Sequence, residues 1–109
     1  MKQLSERFPI PAIRSAFAFG LKDAGFDIFF RANNHAFDRG SKGLERTIDL
    51  LDSIGIKHTG TFKTEAARAL HYPLIIIKKG IRIAFLNYTY DTNGLVVKEP
   101  NRVNMADTN

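Results

Sequence analysis

A helix-patterned stretch, a glycine and a short apolar run occur twice in this chain, thirty residues apart: Lys22-Asp-Ala-Gly-Phe26 is echoed by Asp52-Ser-Ile-Gly-Ile56. A glycine after the last turn supplies the left-handed residue that commonly ends a helix. The apolar run directly behind it then sends the chain back into a sheet. At this spacing the echo is a βαβ crossover, since two copies make no solenoid. The expected fold class is therefore α/β, built from two βα-type units.

The rest of the pattern fits around that unit. Ile13, Ala16, Phe17, Leu21 and Ala24 recur on one helical face, which predicts a helix over 12–24. Phe26 to Phe30 reads as a short buried strand of the kind parallel sheets use. Leu44, Thr47, Ile48, Leu51 and Ile54 line one face of a second helix that starts near Ser41, and Ile56 to Thr59 is the strand after it. A short helix is expected over 63–70. Leu74 to Lys78 and Ile81 to Tyr88 flank Lys79-Gly80 and predict an antiparallel hairpin. Asp91-Thr-Asn-Gly94 marks a turn, and Leu95-Val-Val97 a brief further strand.

At the ends the pattern fades. Residues 1–11 read as an irregular lead-in and residues 100–109 as a loose tail. With no strand before the first helix and no capping element at the close, the sheet edges lack neighbours. The 109 residues suffice for one domain and not for two, so 1–109 is expected to be a single, partial α/β domain, the middle of a larger one.

Charge and composition narrow the function. The formal charge is +5, but the basic residues scatter from Lys2 to Arg102, and the longest run is Lys78-Lys79. A nucleic-acid reader would gather them on one face, so no nucleic-acid partner is expected, whereas a polyanionic substrate suits the sign. The absence of cysteine excludes disulfides, thiolate metal sites and cysteine nucleophiles. No apolar run approaches the ~18 residues of a membrane span. Glu6, Pro9, Pro11 and Arg14 interrupt the place of a signal-peptide core, so no localisation is assigned. Asn87-Tyr-Thr89 matches a glycosylation acceptor inside a strand-like run and is read as chance.

Chemistry concentrates in Arg31-Ala-Asn-Asn-His-Ala-Phe-Asp-Arg-Gly40, the loop between the first strand and the second helix. Ligands of open α/β sheets bind outside the carboxyl ends of the strands. Amide oxygens and imidazole nitrogens coordinate metals, and imidazole moves protons near neutral pH. The same residues also have a plain structural use. Asn and His tolerate turn angles, and Asp38 could cap the helix that follows. On the residues alone the two readings stand level. Elsewhere there is no phosphate-cradling glycine loop, no Gly-x-Ser-x-Gly elbow and no His-Glu-x-x-His.

Ala32 to Gly40, Gly43-Leu44 with Thr47 and Leu51, and Gly55-Ile56 ahead of His58-Thr-Gly60 together resemble the capsule-synthesis proteins of the CapA type. Leu21 to Asp27 and Ile81 to Tyr88 fit the same family, so the resemblance spans about residues 12–94. These bacterial proteins are linked to poly-γ-glutamate capsules, with a fold similar to calcineurin-like metallophosphoesterases. The resemblance implies a layered α/β domain, a divalent metal (manganese, zinc or iron) and an anionic substrate such as poly-γ-glutamate. By the same resemblance Asn34 would bind the metal. His35 would stabilise or protonate the reacting phosphate-like group. Asn33 and Asp38 would support them, Asp38 as an orienter or helix cap. Arg31 could meet an anion in the same cleft or merely be solvated. His58 could line that cleft but is expected as a partly buried structural histidine, and His71 is expected at the surface.

The family's Gly-Asp element, its acidic Asn-x-Glu-like element and its later His-bearing elements are missing from this sequence. A catalytic metal needs about three protein ligands. The chain is therefore expected to hold an incomplete site and to be inactive by itself, as a truncated or decayed copy. The alternative is a non-catalytic basic module that binds an anionic polymer or a partner chain.

Overall fold

A computed structural model describes residues 10–97 and 101–106. In chain order they form α1 (Ile10–Asp23), β1 (Ile28–Phe30), α2 (Gly40–Ser53), β2 (Lys57–Thr59), β3 (Thr61–Phe62), α3 (Glu65–His71), β4 (Leu74–Lys78), β5 (Ile81–Phe85) and β6 (Arg102–Val103). The fold is mixed α/β, and the strands of the described residues pair into three two-stranded sheets. Both repeated helices end as their sequence requires, with Gly25 and Gly55 at φ 102° and 75°. The expected lead-in lies outside the described residues, except that Ile10 and Pro11 already belong to α1.

The βαβ unit is the centre. β1 and β2 pair in parallel, with Ile28 opposite Lys57, Phe29 opposite His58 and Phe30 opposite Thr59. α2 connects them and buries Leu44, Ile48 and Leu51, which lie on one face at i, i+4 and i+7. Leu44 and Ile48 pack with Ala32, Ala36, Phe37 and Val103, whereas Leu51 packs with Ala18, Ile54 and Ile56. One helix thus seats two apolar clusters. Leu51 is 1% exposed, so its truncation to Ala should cost about 2–5 kcal/mol. The Lys22 ammonium donates to the Ile54 carbonyl and ties the end of α1 to the end of α2.

β4 and β5 form the expected antiparallel hairpin, with Leu74 opposite Phe85 and Lys78 opposite Ile81. Leu74, Ile76, Ile83 and Phe85 share one side, where the Phe85 ring lies 5.6 Å from that of Phe30. Ile75 and Ile77 point to the other side and stay exposed. β5 stops at Phe85 and not at Tyr88, because Asn87 turns its side chain to Ala32 and its amide to the Tyr72 hydroxyl.

Two expectations fail. Leu95 to Val97 form no strand: the Leu95 amide and carbonyl are both taken by Thr92, closing a turn. Residues 101–106 are not a loose tail. β6 pairs antiparallel with β3, Val103 joins the core, and Asn101 and Asn104 are buried. Hydrogen bonds carry that segment in place of an apolar pattern: Asn104 donates from its backbone to Gly60 and from its side chain to Asn87, and accepts from Arg68.

No helix among the described residues is long and apolar enough to cross a membrane.

Candidate functional site

The loop that follows β1 carries the candidate site. Its start is fixed, because the Arg31 amide donates to Thr59 of β2 and Ala32 is held by Asn87. Residues 33–39 then run in overlapping turns into α2. The Asn33 carbonyl receives the Ala36 amide, and its side-chain oxygen receives the His35 amide at 2.9 Å. Asn33 is thus bound within its own turn, as an Asx residue commonly is.

His35 Nδ1 lies 2.7 Å from Asp38 Oδ2, three residues on. The imidazole side chain is 68% exposed and the carboxylate 39%. Asp38 does not cap α2; the residue before the helix is Arg39, with no side-chain cap. Its carboxylate is spent on the imidazole instead. Asn93 completes the group from the far side of the chain. Its Nδ2 lies 3.1 Å from His35 Nδ1 and 3.4 Å from Asp38 Oδ1, and its Oδ1 accepts from Asn34 Nδ2 at 3.3 Å.

Nδ1 cannot both give a proton to Asp38 and receive one from Asn93. The charged acceptor at 2.7 Å wins that competition, so the proton sits on Nδ1. The Asn93 amide then finds its acceptor in Asp38. In the neutral form of the ring this leaves the lone pair on Nε2, the arrangement that lets a histidine accept or return a proton.

Asn93 has no prominence in the sequence beyond its turn. Its left-handed φ of 56° and the bond from its amide to Asp91 Oδ1 make it the point of that turn, aimed at His35. A polar Asp-Thr-Asn-Gly turn was the available signal, but a partner 58 residues away was not.

The other candidates are placed elsewhere. His58 does not join the His35 loop. It sits in the middle of the β1–β2 pairing, and its Nε2 lies 2.6 Å from Asp52 Oδ1 on the last turn of α2. His35 thus bonds Asp38 ahead of the first turn of that helix, and His58 bonds Asp52 on its last turn. Arg31 is half-buried with its backbone in the sheet. His71 is exposed at the end of α3, as expected.

A divalent metal does not fit the described residues. No group of three or more His, Cys, Asp or Glu side chains gathers among them. Asn34 and His35 could supply at most two donors, one short of an ordinary catalytic site.

The family model of the bacterial capsule synthesis protein PGA_cap matches residues 2–109 of this sequence. The chain belongs to that family. Two uncharacterised Sinorhizobium fredii (strain NBRC 101917 / NGR234) proteins, y4sH and y4uA, are each 46% identical to it over 46 residues. That stretch is 42% of this chain and 10% of each relative, so the match spans about a tenth of their length. No solved structure gives a significant match. The family match covers both the His35 loop and the Asn93 turn.

Proposed function

We propose that this chain carries the proton-transfer loop of a capsule-synthesis protein that acts on poly-γ-glutamate or helps assemble it. His35 is the acid–base group, and Asp38 and Asn93 fix its ring and its tautomer. The observation that carries this reading is the 2.7 Å contact from His35 Nδ1 to Asp38 on an imidazole that is otherwise open to solvent. Asn34 stands beside it with its amide on Asn93, a polar neighbour for a substrate carboxylate or amide. The resemblance to metallophosphoesterases adds a divalent ion, whose remaining ligands the described residues do not provide. Turnover by the 109 residues alone is accordingly weak or absent.

The direct test uses the labelled chain with short γ-linked glutamate oligomers. Substrate contact at the loop shifts the His35 ring and Asn93 side-chain resonances, and His58 stays unmoved. If the oligomers bind while the His35 and Asn93 signals stand still, the assignment of the loop is wrong.

A charge of +5 favours a second reading, a non-catalytic module that binds the anionic polymer. In that case affinity falls steeply with added salt and is shared among scattered lysines and arginines, so that His35→Ala leaves it unchanged.

A further inference from the structure

A concavity lies toward the C-terminal half of α2, outside the His35 loop. It is a cleft of about 480 Å³ between the last turns of α2, the β2–β3 segment and α3. Cavities of ~300–1,000 Å³ hold small molecules. Ile48, Ile56, Phe62 and Leu74 provide its apolar lining.

The charges around this lining are unequal. Four basic side chains face one acidic one: Lys57, His58, Lys63 and His71 against Asp52. His58 is already paired with Asp52, and Lys63 with Asp49 just outside the cleft. Among the described residues no side-chain partner engages Lys57 or His71, and both are exposed. The cleft thus keeps one full cation and one imidazole beside an apolar lining. That complement suits a single negative charge on an apolar body. A dianion would lack a second permanent cation, and a neutral molecule would gain nothing from Lys57.

We propose that this cleft binds a small monocarboxylate with an apolar body, its carboxylate meeting Lys57 and His71 and its body lying on Ile48, Ile56, Phe62 and Leu74. The site is separate from the proposed reaction. None of Asn33, Asn34, His35, Asp38 and Asn93 lines the cleft.

The experiment is an amide-shift titration of the ¹⁵N-labelled 109-residue chain with sodium octanoate, beside octanol as its uncharged counterpart. The amides of Ile56, His58 and Phe62 should shift saturably, while those of His35 and Asn93 do not move. Lys57→Gln and His71→Gln should each weaken binding by roughly threefold to fivefold, the scale of a solvent-screened ion pair. Octanol should bind more weakly than octanoate by a similar or larger factor. Equal affinity for octanol, or affinity indifferent to both substitutions, overturns the proposal. So does a spectrum in which the amides of Ile56 and Phe62 are undispersed, because the cleft then does not form. Failure here leaves the His35 assignment intact, since that loop is read out separately.

Discussion

The side-chain amide of Asn87 pairs with both peptide groups of Ala32, accepting its N–H at 2.6 Å and donating to its carbonyl at 3.2 Å. Ala32 is 6% exposed and opens the His35 loop, so neither group can turn to water instead. Asn87 is held in turn by Tyr72, whose hydroxyl accepts its amide, and by Asn104, which donates to its carbonyl. The loop after β1 is thus positioned by residues that follow β5 and β6.

Asn87→Ala should therefore destabilise the chain by about 1–3 kcal/mol, the cost of leaving buried backbone groups unpaired. Urea unfolding measures the loss, and amide exchange at Ala32 should quicken beyond the global change. Exchange at Ala32 that merely follows global stability would show that the pairing does not hold the loop.

Gly60 faces the same contact. Its φ is 102°, and a Cβ there would run into Asn87 Oδ1 and the Ala32 amide. Gly60→Ala is expected to cost at least ~1–3 kcal/mol, from backbone strain added to the clash. Gly20 is the matched control: it lies within α1 with nothing near its missing Cβ. Gly20→Ala should instead stabilise by roughly 0.5–1 kcal/mol. Thermal melts of the two variants should therefore move in opposite directions.

The βαβ unit and the hairpin were legible because local signals specify them: an apolar face at helical spacing, glycines at helix ends, and β-branched runs around Lys79-Gly80. His35 and Asp38 were legible as a pair because a turn sets residues three apart together. The resemblance to capsule-synthesis proteins was carried by that same loop. What stayed hidden depends on contacts across the chain. Asn93 reaches His35 over 58 residues, and Asn87 reaches Ala32 over 55. β6 was missed because Asn101 and Asn104 are buried by hydrogen bonding, and hydropathy does not register that. His58 is the partly buried histidine its strand position suggested, but its Asp52 partner was hidden. A strand's position gives no sign of which part of the neighbouring helix will take its side chain.

Alkaline pH should weaken the fold through Tyr72 and Lys63. Burial, then the Tyr88 hydroxyl, hold Tyr72 above its ordinary pKa of 10.0. The Asp49 carboxylate raises Lys63 above 10.5. In both cases the folded state keeps a proton that the unfolded state has begun to lose. Stability is therefore fully present below about pH 10 and falls as pH rises through the folded values. Denaturation midpoints measured from pH 8 to 12 should hold to about pH 10 and decline above it, and Tyr72→Phe should flatten part of the decline. The substitution also removes the acceptor for the Asn87 amide, so the variant begins from a lower midpoint.

The tautomer of His35 is the most direct check on its proposed role. If Asp38 takes the Nδ1 proton, the ¹⁵N shifts of the neutral ring should show Nδ1 protonated and Nε2 bare. In Asp38→Ala the preference should pass to Nε2–H, which points the proton outward and leaves no outward lone pair. Any turnover of poly-γ-glutamate should then fall with the tautomer, and His35→Ala should remove it by ~10²-fold or more, the usual contribution of a positioned acid–base group. Asn93→Ala leaves the imidazole and carboxylate in place and removes only the amide that braces them. Its effect should lie between wild type and Asp38→Ala in both tautomer ratio and rate. A rate indifferent to His35→Ala would remove the imidazole from the chemistry, and a tautomer indifferent to Asp38→Ala would remove the carboxylate from its control.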